Sequence, residues 1–380
     1  MATTSAIKEW PPEIQCIQVP SSIDGSLQPS LHYSPPPPPS SSSSSSYDDD
    51  NKTIEPRPLL IALHTWSFDY LQAGGQVVHA QWCIRKGWHF LHPNFRGSNQ
   101  QPTACGSDEA LQDVLDAVEY VCTTTTSTTR QQQQQQRPST HPVDPNRIYI
   151  VGVSGGGHMA LLLAGRHAEQ WAGVSAWCGI ADIATWWQER ANGVPDVTPS
   201  SNFQALSRYA QMVQGVLDGK TPDQCPEECA ARSPVTYLAA AEGVNLDIHA
   251  GIHDGREGGS VPFSHSLRAY NAVVPQSEQL GDDFITQFYR IQRPPNDGSS
   301  MTNDKQKQQA EEALQTRPIH FRRIHDNTRV TIFEGGHEIL HVAALNWLEH
   351  QRRGHDAVWD ISTNDMDWFQ VEAEQTQSGK

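Results

Sequence analysis

Apolar residues in this chain gather in two kinds of stretch, short unbroken runs and longer runs at helical spacing, and the two kinds alternate. Pro58 to Leu63, Trp88 to Leu91, Arg147 to Val151, Gly173 to Trp177, Leu246 to Ala250 and Arg329 to Phe333 read as strands, those ending at Leu63 and Val151 as buried ones. Between them, helical spacing covers Val77 to Lys86, Asp108 to Val121, His158 to Ala168, Ser264 to Val274 and the segment holding Val342, Leu345 and Leu348. Ile14 to Val19 and Leu27 to Tyr33, joined through Asp24-Gly25, read as a hairpin and predict an antiparallel N-terminal edge. Strand and helix alternating this long predict an α/β protein built on a mostly parallel, doubly wound sheet.

Polar tracts interrupt this pattern and bring the hydrophobic share down to 37%. Pro35 to Pro39, Ser40 to Ser46 and Asp48 to Asp50 lie in a low-complexity loop over 34–57, and Gln131 to Gln136 lie in a second over 123–141. One domain is expected over 12–350, with a helical cap at 179–238, a polar insertion at 275–318 and a polar tail at 351–380, where Trp359, Met366, Trp368 and Phe369 are candidates for docking back.

A net charge of −16 without a basic cluster argues against nucleic acid and against anionic membrane surfaces. Met1 to Pro20 lacks the apolar core of a signal peptide and no run reaches membrane-spanning length, so a cytoplasmic address is expected. The seven cysteines are read as reduced thiols, with a local disulfide between Cys225 and Cys229 as an alternative. The sequence leaves the oligomeric state open.

The chemistry centres on Gly152-Val153-Ser154-Gly155-Gly156, which fits G-x-S-x-G between a strand and a helix. Such an elbow pushes the serine hydroxyl out of the sheet, and Gly155 offers its N–H to an oxyanion at the positive end of the helix. The ending Gly-Lys-Ser/Thr of a phosphate loop is missing. A serine hydroxyl needs a histidine to take its proton and a carboxylate to orient that histidine. Asp254 in Gly251-Ile252-His253-Asp254-Gly255 follows a strand end, with Asp247 and Glu257 as alternatives. His337 in Glu334-Gly335-Gly336-His337 follows the last strand; of seventeen histidines it combines a strand end, flexible glycines and the right order. A second oxyanion donor is expected from the turn after Leu63, from backbone N–H of Thr65 or Trp66 or from the His64 ring. Arg96 either holds a substrate carboxylate or pairs with Asp113 or Asp116. Trp177 and Trp186, with Trp66 and Trp187, are candidates to border a substrate.

Asn94-Phe95-Arg96-Gly97-Ser98, the elbow, Gly251-Ile252-His253-Asp254 with Val261-Pro262, and Gly335-Gly336-His337 come in an order that resembles the α/β-hydrolase fold and, within it, the catalytic domain of the prolyl oligopeptidase family. The resemblance runs from Leu59 to His350 and implies Ser154 as nucleophile, Asp254 as acid and His337 as base, with no metal and no cofactor. The region before Leu59 is too short for the β-propeller of that family, and His64 stands where relatives place a tyrosine. The expectation is a serine hydrolase cleaving an ester or short peptide bond. A carboxylesterase for acyl-sugar or aryl esters and a non-catalytic binding protein of the same fold are the alternatives.

Overall fold

The computed structural model describes residues 9–37, 54–126, 140–194, 197, 204, 207–256, 259–295, 304–361 and 366–367. Nine strands form one sheet: β1 Gln15–Pro20, β2 Leu27–Tyr33, β3 Arg57–Leu63, β4 His89–Pro93, β5 Val143–Val153, β6 Gly173–Trp177, β7 Leu246–Gly251, β8 Ile319–His325 and β9 Thr328–Phe333. Their order is β1-β2-β4-β3-β5-β6-β7-β9-β8. Pairing is parallel from β4 through β9 and antiparallel at the β1-β2, β2-β4 and β8-β9 junctions. This is the α/β-hydrolase topology, a mostly parallel sheet with an antiparallel N-terminal edge.

The chain leaves β3 toward β4 and later returns beside β3 as β5, so the strand order reverses between β3 and β5. In open α/β sheets a crevice opens beyond the strand ends at such a reversal. The turn after β3 and the elbow after β5 flank it.

The helices are α1 Gln76–Lys86, α2 Asp108–Thr126, α3 Gly155–Arg166, α4 Ile183–Asn192, α5 Arg208–Val216, α6 Pro226–Ala231, α7 Ser264–Val273, α8 Asp282–Ile291, α9 Asp304–Ala313 and α10 His341–Glu349. Every residue of α3 from Gly155 to Gly165 is buried, consistent with its run of Met159, Ala160 and Leu161 to Leu163 having no polar stripe. Helices α4, α5 and α6, all inside 179–238, contribute Ile183, Trp186, Val213, Val216 and Cys229 to a second apolar cluster that also holds Trp66 and Val261. Truncating a buried tryptophan such as Trp186 to alanine costs about 3–5 kcal/mol.

Three elements differ from the sequence expectation. Helix α2 continues to Thr126, into the stretch expected as loop from 123. The insertion 275–318 holds two helices; α8 buries Ile285, Phe288 and Tyr289 on one face, an i, i+3, i+4 set inside a polar stretch. Strand β8, absent from the sequence reading, pairs antiparallel with β9. In the tail, Trp359 stacks on Trp347 with centroids 5.5 Å apart, and Trp359 and Met366 pack on the core; Trp368 and Phe369 lie outside the described residues. Most of the Pro/Ser/Asp tract and the whole Gln tract also lie outside them. Cys225 and Cys229 are free thiols. Among the described residues no helix is long and apolar enough to cross a membrane.

Candidate active site

Strand β5 ends at Val153 and α3 begins at Gly155, leaving Ser154 alone to turn the chain, at φ 60° and ψ −121°. A non-glycine residue held there costs about 1–3 kcal/mol and persists only where its surroundings fix it. They do: Ser154 N–H donates to Trp177 O at 2.9 Å and Ser154 O accepts from His158 N–H at 2.9 Å. The flanking glycines make the turn possible, since a Cβ on Gly152 would lie 2.2 Å from Gly156 O.

The loops after β7 and β9 are stitched together by backbone bonds. Ile252 N–H donates to Phe333 O at 2.9 Å and His253 N–H to Gly335 O at 3.0 Å. Their approach requires glycine, because a Cβ on Gly251 would lie 2.2 Å from Gly336 O. The result brings His337 onto Asp254, with Nδ1 at 2.9 and 2.8 Å from the two carboxylate oxygens. Asp254 is fully buried, and its Oδ1 also accepts from Gly255 N–H at 2.8 Å and Val261 N–H at 3.2 Å. Burial works to lower the pKa of His337, but the charge and hydrogen bond of Asp254 outweigh it and hold the imidazole above the ordinary histidine range.

Since Nδ1–H points at the carboxylate, Nε2 of the neutral ring is an acceptor. It accepts from Ser260 Oγ–H at 3.1 Å, and among the described residues no hydrogen bond joins it to Ser154. Ser260 is itself tied to α4, its carbonyl accepting from Trp186 Nε1–H at 2.8 Å. Sequence reasoning missed Ser260 because its contact with His337 spans 77 positions and no local motif marks it.

The turn after β3 sorts the expected oxyanion donors. Thr65 N–H is already given to Gln72 Oε1 at 2.8 Å, so Thr65 is corrected from free donor to anchored turn residue. His64 is likewise committed: it is fully buried and stacked on Phe95 at 3.7 Å, with Nδ1 3.0 Å from Thr65 O and Nε2 2.8 Å from Asn94 O. Trp66 N–H carries no hydrogen bond among the described residues and lies against the elbow, 2.5 Å from where a Gly155 Cβ would be.

Of the two roles expected for Arg96, it takes the pairing with Asp113, which makes it a loop clamp. Four of its five N–H donors are taken, by Asp113 at 2.5 and 3.2 Å, Asp24 at 2.7 Å and Ser21 at 3.0 Å. Trp177 is corrected as well: fully buried, it stacks on His249 at 3.9 Å and gives its Nε1–H to Ser175 Oγ at 2.8 Å. Trp186 is buried against Trp66, centroids 4.7 Å apart, and so roofs the site from α4. Asp247 is buried in a structural cluster with Arg329, at 2.8 and 2.5 Å, and His249 at 2.8 Å. Glu257 lies outside the described residues.

Cys178 Sγ stands with ligand atoms of Asp254 and His337 within a 4.8 Å group. Burial, reinforced by the Asp254 charge, pushes this thiol well above its ordinary range and keeps it protonated. It donates to the carbonyls of Gly336 at 3.8 Å and Glu338 at 3.5 Å, which fits a packing role under the His337 loop.

No curated protein matches the sequence. Among solved structures, it is similar to an acylaminoacyl peptidase of Pyrococcus horikoshii, with TM-score 0.44 and 17% identity over 69% of this chain and 34% of that one. It is similar to oligopeptidase B of Leishmania major, with TM-score 0.44 and 12% identity over 68% and 30%. It is also similar to an S-formylglutathione hydrolase of Staphylococcus aureus, with TM-score 0.39 and 14% identity over 63% and 79%. The chain thus spans about a third of the length of the first two. The family model described as BD-FAE matches residues 49–272, more than half of the sequence, a run that includes the elbow, the turn after β3 and Asp254 and ends before His337. With that match, on an α/β-hydrolase sheet, the chain belongs to the BD-FAE family.

Proposed function

We propose that the chain is a serine hydrolase in which Ser154 is the nucleophile, His337 the general base and acid, and Asp254 the group that orients His337. The observation that carries this reading is the pairing of His337 Nδ1 with both oxygens of a fully buried Asp254, together with an elbow serine in a strained backbone conformation. The substrate is an ester or a short peptide.

In the first half-reaction His337 Nε2 leaves Ser260 and takes the Ser154 proton as Oγ attacks the substrate carbonyl carbon. Asp254 stabilises the imidazolium that results. Negative charge collects on the carbonyl oxygen, and the N–H groups of Gly155 and Trp66 are the donors we assign to it, a choice supported by the closeness of Trp66 N to Gly155. The C–O or C–N bond then breaks, the departing alkoxide or amine takes the proton from Nε2, and the acyl group stays on Ser154. Water repeats the sequence, losing its proton to His337 and releasing the acid.

Labelling with a fluorophosphonate probe tests this directly. Stoichiometric modification of the native protein at Ser154, absent in Ser154→Ala, is expected, together with turnover of short esters or proline-containing dipeptide amides. A native protein that takes no label and cleaves neither substrate class would mean the fold serves binding alone.

A further inference from the structure

Arg190 is 2% exposed, and its side chain forms no hydrogen bond or ion pair among the described residues. Its Nε is sealed from solvent without a partner. The terminal Nη atoms are therefore the edge through which the side chain keeps its small exposure. A guanidinium stays charged at any ordinary pH, so burying it unpaired is costly. Nearby carboxylates are committed elsewhere: Glu189 to His265 at 3.0 Å and Arg268 at 3.5 Å, and Asp254 to His337, Gly255 and Val261.

The position of Arg190 supplies the direction. Helix α4 buries Ile183, Trp186, Glu189 and Arg190, one face of the helix. One turn before Arg190 on that face, Trp186 touches the oxyanion turn through Trp66 and holds Ser260, which is bonded to His337. Arg190 is thus carried over the same centre, and its charge bears on His337, opposing protonation of the ring.

We infer that Arg190 is a substrate-reading residue whose unpaired guanidinium edge receives a carboxylate, so that the preferred substrate is an ester or short peptide with an anionic group near the scissile carbonyl. The inference rests on the serine-hydrolase reading and adds a substrate class to it. In a chain of net charge −16 the overall field does not favour an anion, and a local guanidinium is what would hold one.

Paired esters matched in size and leaving group test it. On the acyl side, para-nitrophenyl hemisuccinate is compared with para-nitrophenyl levulinate; on the leaving-group side, para-acetoxybenzoate with para-acetoxybenzamide. The carboxylate member of at least one pair is expected to be favoured in kcat/KM by about tenfold or more, the size of one charge-assisted hydrogen bond. Arg190→Gln is expected to bring that ratio close to one, and Arg190→Lys to retain part of it, since an ammonium lacks the planar fork. Free succinate should inhibit the native enzyme competitively and Arg190→Gln far more weakly. Neutral esters cleaved with no preference in either pair would overturn the inference and leave the hydrolase reading standing. A preference that survives Arg190→Gln would also overturn it, as would the full native ratio in Arg190→Lys should the glutamine variant not fold. No ester turnover and no labelling of Ser154 would instead strike the hydrolase reading.

Discussion

Ser260 Oγ lies 3.1 Å from His337 Nε2, so the ring nitrogen that a nucleophilic Ser154 needs is already hydrogen-bonded to a different serine. The contact is held from above, because Trp186 on α4 anchors the Ser260 carbonyl at 2.8 Å. A buried hydrogen bond of this kind is worth about 0.5–1.5 kcal/mol net, and breaking it comes before proton transfer from Ser154. Ser260→Ala is therefore expected to raise kcat/KM for a short ester, and the rate of fluorophosphonate labelling, by about two- to tenfold. If both rates fall instead, Ser260 is positioning the imidazole and the competition argument is wrong.

The pH profile should report the balance at His337. Asp254 holds its pKa above the ordinary value of about 6.5, so the neutral base is lost as pH falls through a point higher than that, and the acid limb of kcat/KM should have its midpoint above 6.5. In Asp254→Asn the raising influence is gone and burial and the Arg190 charge both act to lower the pKa, which moves the limb below 6.5 while kcat falls by several orders of magnitude. A limb unmoved by the substitution would assign it to another group.

Acid should also weaken the fold itself. His89, His92 and His158 are fully buried, and burial, the largest influence on each, depresses their pKa values to about 4, about 3 and about 4. They remain neutral in the fold, while the unfolded chain takes up protons below about 6.5. Their contribution is fully present above that pH and is lost progressively as pH falls through it, at most about 2 kcal/mol per residue by pH 5. Urea midpoints measured from about pH 7.5 to 5 should fall steeply below 6.5; a flat series would mean that these rings find compensating partners when charged.

How much of this was legible in the sequence depends on whether a residue's partner is local. Strand β3 and the second half of β5 are nearly continuous apolar runs because both their faces are covered, and Ser154, Asp254 and His337 each follow a strand end beside glycine. Strand β8 escaped because Arg322 sits on a buried face, its Nε–H donating across to Thr331 Oγ1 at 3.0 Å, which breaks the alternation a half-buried strand should show. That Thr65 gives its N–H to Gln72, that Ser260 meets His337 and that Arg190 Nε is buried without a hydrogen-bond partner are outcomes of packing, with no period or motif to announce them. An arginine in a polar helix ordinarily reads as solvated, and only the burial of its helix face shows otherwise.

Arg96 offers the opposite case to Arg190, and substitution should separate them. Its fork spans Asp113, whose side chain is fully buried, and Asp24 on the β1-β2 turn, fixing the loop after β4 to the N-terminal edge. Removing the guanidinium leaves the Asp113 carboxylate buried without its charge partner, a change that costs about 3 kcal/mol or more. Arg96→Ala should accordingly lower the unfolding free energy measured in urea by that amount, with Arg96→Lys recovering only part because an ammonium cannot span both oxygens. The selectivity between carboxylate-bearing and neutral esters should stay at the native ratio in Arg96→Ala, since the Arg96 guanidinium is held by two carboxylates and the Ser21 hydroxyl. A variant of native stability whose ester selectivity collapses would return Arg96 to the substrate site.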